Sequence, residues 1–210
     1  MTGMKSCDIM VLLDKERRGA LGDGDAFPNK TKNRERNDML NCDLRNMDAE
    51  TKRVTTVCFT GHRQIAYVDA VKLPTLLDRT LIDLIHRGAT VFRAGGAIGF
   101  DTVAALKVLE LRERYPHIRL ELILPCRNQT ERWEETALRT YHYILERADS
   151  HHFLFDTYFE GCMLERDRRL VEGSDVCVAF CNRSRGGTAY TFAHALRLGL
   201  EVININDLMV

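Results

Sequence analysis

The chain has 210 residues, 45% of them hydrophobic and 29% charged, which suits one globular domain with a buried core. Lys and Arg together number 30, as do Asp and Glu, so the formal net charge is zero. That balance excludes a global basic field for nucleic acid and the acidic excess of a solvating disordered chain. No apolar run approaches the roughly 20 residues that span a bilayer. The apolar patch Ile9 to Leu13 is short and followed by "DKERR", which argues against a signal peptide. A cytoplasmic protein without a membrane partner is expected. The 7 cysteines are odd in number and contain no C-x-x-C pair. Small buried thiols in a reducing compartment are expected, and no metal site.

Residues 1–53 hold 11 Lys/Arg, 10 Asp/Glu and one aromatic, Phe27. They show no sustained apolar period, so they are expected to form a flexible, charged leader, with a short helix around 10–18 as a docking candidate. From Val54 onward, strand-like and helical runs alternate. "VTTVCFT" (54–60) reads as a buried strand. Leu73, Leu77, Leu81 and Leu84 make a helical stripe that stops at Gly88. "TVFRA" (90–94) is a strand, and Val103, Leu106 and Leu109 mark a helix. "IRLELILP" (118–125) is a strand, and residues 130–149 read as a helix with Thr130 as N-cap. "HHFLF" (151–155) is a short strand, with His151 and His152 pointing to opposite faces. Met163, Leu170 and Val171 mark the next helix. "SDVCVAF" (174–180) is an apolar strand. In the last helix Ala189, Phe192, Ala193 and Leu196 share one face, His194 lies opposite it in solvent, and Gly199 is the stop. "LEVININ" (200–206) is the final strand.

This alternation predicts right-handed βαβ units. The fold class is α/β: a Rossmann-like, doubly wound three-layer sandwich over residues 54–210, with a mostly parallel sheet of about six strands. Ligands of such folds sit at the carboxyl ends of the strands. The first strand ends in Thr60-Gly61-His62-Arg63, where glycine exposes amides and the two side chains can meet an anion. The second ends in Gly95-Gly96-Ala97-Ile98-Gly99-Phe100-Asp101. Its glycines permit close approach at a helix N-terminus. Asp101 can cap that helix or take a ribose hydroxyl. The G-G-x-x-G-x-D spacing is neither the dinucleotide fingerprint nor a Walker loop. Arg166 lies three residues after Met163 and four before Leu170, so it falls on the buried stripe and needs a partner: a carboxylate, a carbonyl or a ligand. The fifth strand leads to Arg185, Gly186, Gly187 and Thr188, a second glycine loop opening a helix. Trp133 and Tyr141 read as core aromatics, with base stacking as the alternative.

The ordered set "CFTGHR", "AGGAIGFDTVAA", "MLERDRRLVEGSDVCVAF" and "GGTAYTFAHAL" resembles the SLOG superfamily, which includes DprA (Smf) and the LOG enzymes, and is most similar to its YpsA-like bacterial branch. The resemblance covers about residues 54–210. It implies a Rossmann-like fold and a nucleotide-type ligand of the AMP, NAD or ADP-ribose kind, with no further cofactor. Gln129 is implied as a further ligand contact. LOG enzymes are phosphoribohydrolases with an M-x-x-R-K helix and a P-G-G-x-G-T-x-x-E segment. Met163 and Arg166 match the first, Gly187 and Thr188 the second. Where that segment has its catalytic Glu, this chain has Thr191, which cannot act as a carboxylate acid or base. The resemblance therefore favours a nucleotide-binding sensor or regulator over a hydrolase, in which Arg166 would be catalytic. It also implies a homodimer by analogy with LOG enzymes. A third reading, DprA-like single-stranded DNA binding, needs a local basic groove, since residues 54–210 carry 19 Lys/Arg against 20 Asp/Glu.

Overall fold

The computed structural model describes residues 54–209. The expectations for residues 1–53, including Cys7 and Cys42, lie outside them. Six strands form one parallel sheet: β1 (Thr56–Gly61), β2 (Val91–Ala94), β3 (Arg119–Cys126), β4 (Ser150–Phe155), β5 (Val176–Phe180) and β6 (Glu201–Asn204). Their order is β4-β3-β2-β1-β5-β6. Five helices connect them: α1 (Tyr67–His86), α2 (Phe100–Leu111), α3 (Glu135–Arg147), α4 (Cys162–Val171) and α5 (Gly187–Arg197). The chain winds outward from β1 to β4, then returns across the sheet to β5. The helices α1, α2 and α3 pack together, and α4 packs with α5. This is the doubly wound Rossmann-like sandwich that the alternation predicts.

The central strands show why the sheet is covered on both faces. Every residue of β5 is buried, and so are the four central residues of β1. Successive side chains alternate between faces. Val57 and Phe59 join the large core with Leu73, Leu77, Leu81 and Leu84, whereas Cys58 joins a smaller one with Cys177, Leu170, Val171 and Ala195. Cys58, Cys126, Cys162 and Cys177 are buried free thiols, and Cys181 is half-buried.

Four local expectations are corrected. The helix after β3 starts at Glu135, not Thr130, because turns that return Glu131 N–H to Asn128 O and Trp133 N–H to Thr130 O occupy the intervening chain. The last helix buries Thr191 and Ala195, while Leu196 is 54% exposed and Ala193 is also exposed. Small residues let α5 lie close to α4 and the sheet, and this outweighs the apolar stripe. His194 is half-buried and stacked on Tyr190 rather than solvated. The final strand ends at Asn204, and a 3₁₀ turn (Ile205–Leu208) buries Ile205 beyond it.

Candidate functional site

β1 is where the winding reverses direction, with β2 on one side and β5 on the other. The crevice beyond its carboxyl end is the switch point at which open α/β sheets bind ligands. A cavity of about 310 Å³ lies there. Its wall includes Thr60, Gly61 and Arg63 after β1, Ala97 and Asp101 before and within α2, Met163, Arg166, Asp167 and Leu170 of α4, and Gly187 and Thr188 of α5. Four segments distant in sequence therefore converge on one space.

The loop before α2 is folded around its own carboxylate. Asp101 is buried, and its Oδ2 accepts from the Gly95 N–H at 3.0 Å and the Ala97 N–H at 3.4 Å. Thr102 Oγ1 donates to the Ala97 carbonyl at 2.9 Å. Gly99 has φ +92°, and a Cβ there would come within 2.5 Å of the His62 and Arg63 carbonyl oxygens. Only glycine fits that left-handed backbone pressed against a second chain segment. Phe100 N–H donates to the His62 carbonyl at 3.1 Å and ties the two loops together. Gly95, Gly96 and Gly99 shape this loop but do not line the cavity. Gly96 faces Leu124, Gln129 and Tyr141 instead.

Arg166 is the buried cation at the centre. Its Nη1 donates to the Gly95 carbonyl and lies 3.7 Å from Asp101 Oδ2. Its Nε donates to Asp167 Oδ1 at 2.8 Å. The partner that sequence demanded is thus two carboxylates and one carbonyl, while part of the side chain still reaches the cavity. Burial pushes the Asp101 carboxyl above the ordinary carboxylate range, and Arg166 pulls it back down. The same opposition acts on Asp167: burial raises it, and Arg166, the Thr191 hydroxyl and Arg63 lower it.

The N-terminus of α5, like that of α2, has a glycine N-cap without a side-chain cap, but it lacks the first-turn acid that α2 has in Asp101. The N-cap of α5 is Gly186. The first amides of a helix have no partner within it. Gly187 and Thr188 bring this end to the cavity, and Gly186 stands just outside. Thr191 is buried one turn on and donates to the Gly187 carbonyl at 2.9 Å.

His62 also lies off the cavity wall. Its Nε2 accepts from the Asn182 N–H at 3.2 Å, which joins the β1 loop to the β5–α5 loop. Burial lowers its proton affinity, and Arg183 lowers it further. Gln129 donates to the Tyr141 hydroxyl at 3.2 Å, and Trp133 meets Tyr141 edge to face against the large core. Asp167 is the charged wall residue that the sequence reading omitted. Its signal was present: it stands four residues after Met163 and three before Leu170, on the same stripe as Arg166.

A parallel doubly wound sheet with glycine loops around a switch-point cavity defines a Rossmann-like domain. A family model described as the YspA SLOG family (YpsA) matches residues 58–201, and the chain belongs to that family. A UPF0398 protein of Halalkalibacterium halodurans is 29% identical over 130 residues, 61% of this chain and 66% of that protein. One from Brevibacillus brevis is 33% identical over 101 residues, 47% of this chain and 54% of that protein. The matched segment thus spans between about half and two thirds of these relatives. Among solved structures, DNA processing protein A (DprA) of Streptococcus pneumoniae superposes with a TM-score of 0.52 at 16% identity, covering 71% of this chain and 49% of that one. DNA processing protein A of Helicobacter pylori gives 0.51 at 19% identity, covering 73% and 67%. These two likenesses establish the fold. Among the described residues no helix is long and apolar enough to cross a membrane.

Proposed function

We propose that this domain binds a mononucleotide or a similarly sized nucleotide derivative in the switch-point cavity, as a sensor or regulator. The observation that carries the reading is the uncapped N-terminus of α5 at a cavity whose mouth bears the exposed Arg63. Free amides, the helix dipole and a guanidinium together favour a phosphate group. The volume, about 310 Å³, lies at the bottom of the range of small-molecule sites, roughly 300–1,000 Å³. That size favours an AMP-like ligand over NAD or ADP-ribose. Thermal unfolding with each of the three at millimolar concentration tests this. AMP should raise Tm most, and no rise with any of them contradicts the reading.

A hydrolase reading gains one observation. Asp167 is a carboxylate on the cavity wall whose proton affinity is raised by burial, a property useful in acid–base chemistry. Release of free base from AMP, abolished in both Arg166→Ala and Asp167→Asn, would support it. Failure to release base leaves binding as the function.

A further inference from the structure

Four charged side chains line the cavity: Arg63, Asp101, Arg166 and Asp167. Their formal charges cancel, so the wall has no surplus for a polyanion. Asp101 Oδ2 is engaged by two loop amides and lies near Arg166. Asp167 is differently placed. Its Oδ1 accepts from Arg166, while its Oδ2 points toward α5, 3.7 Å from where a Cβ on Gly187 would stand. The Thr191 hydroxyl lies between the same carboxylate and the Gly187 carbonyl, 2.9 Å from the latter. Asp167 therefore presents acceptor capacity beside the open helix end, with two neighbours holding it in place.

We propose that Asp167, not Asp101, reads the ligand: it accepts hydrogen bonds from sugar hydroxyls and restricts the site to ligands with a single phosphate. This rests on the mononucleotide reading above and adds the ligand's charge and sugar to it. A carboxylate acceptor forms strong charge-assisted bonds with hydroxyl donors. The same charge opposes a second phosphate, which would have to lie between Asp167 and the α5 amides or leave the cavity.

The test is calorimetric titration of the full chain with AMP, 2′,3′-dideoxy-AMP and ADP, using wild type, Asp167→Ala and Asp167→Asn. Wild type should bind AMP at least tenfold more tightly than either analogue. Asp167→Ala should reduce the AMP-to-dideoxy ratio below threefold. Asp167→Asn, which keeps the shape and removes the charge, should reduce the AMP-to-ADP ratio below threefold. If both variants weaken AMP while both ratios persist, Asp167 only positions Arg166 and the proposal falls. If wild type binds AMP without discriminating the analogues, the proposal falls and the mononucleotide reading stands. If wild type binds none of the three, both fall.

Discussion

The two glycine loops of this domain look alike in sequence and differ in what fills them. Each follows a strand, each opens a helix, and each has glycines at the turn. Before α2, the carboxylate of Asp101 sits inside the loop and takes two of its amides. Neither helix has a side-chain cap, but no acid stands in the first turn of α5. The first loop gives its amides to its own carboxylate; the second gives its amides to no side chain, although Asp167 of α4 stands beside it. Similar glycine-rich strand-to-helix turns can thus differ in whether the loop's own carboxylate occupies their amides.

Substitutions should separate these roles. The largest effect is expected from Gly99→Ala, which forces a Cβ onto two carbonyl oxygens at positive φ. It should cost about 2–4 kcal/mol and lower Tm by roughly 5–15 °C. Gly187→Ala should leave Tm nearly unchanged, since its Cβ meets nothing nearer than Asp167 Oδ2 at 3.7 Å. Equal losses at the two glycines would erase the distinction. Next in size is Arg63→Ala. The side chain is exposed at the cavity mouth, so AMP should bind about tenfold more weakly, ~1.4 kcal/mol, with Tm intact. A fall in Tm without a change in affinity would make Arg63 structural.

The smallest effect concerns the latch between the β1 and β5–α5 loops. His62 has an ordinary value of 6.5, lowered in the fold by burial and Arg183. Between the two values the unfolded chain binds more protons than the native one, so stability is complete above 6.5 and is lost as pH falls below it. Protonation also places a proton against the Asn182 N–H. Glutamine can still accept that bond. His62→Gln should therefore lose less Tm than wild type between pH 7.5 and 5.5, by roughly 1–2 °C. Parallel pH profiles would assign the acid sensitivity elsewhere.

The fold was legible because apolar strands alternate with helical periods, and parallel strands buried on both faces leave a strong signal. Details set by tertiary contact were not. The face of α5 was misassigned because close approach to α4 favours Thr191 and Ala195 over the larger Leu196. Thr130 has the chemistry of an N-cap, yet the chain turns through 128–133 before α3 begins. At the site, Thr60, Gly61, Arg63, Asp101, Gly187 and Thr188 line the crevice to which the rule about strand ends points, and Arg166, read from the helical stripe, lines it too. What sequence left open was the division of labour among them. Whether Asp101 caps its loop or faces a ligand depends on a few ångströms of loop path, which spacing does not encode. Asp167 shares the stripe with Arg166, but helical spacing alone does not tell which of two adjacent charged side chains reaches a cavity.

The most direct measurement is calorimetric titration of AMP into wild type and Gly187→Asp side by side. The substitution sets a second carboxylate beside Asp167 at the open end of α5, in the space assigned to phosphate. Wild type should bind, and the variant should bind about a hundredfold more weakly, ~2.8 kcal/mol, with an unchanged Tm. Equal affinity in the two proteins would contradict the assignment of the phosphate to the α5 loop.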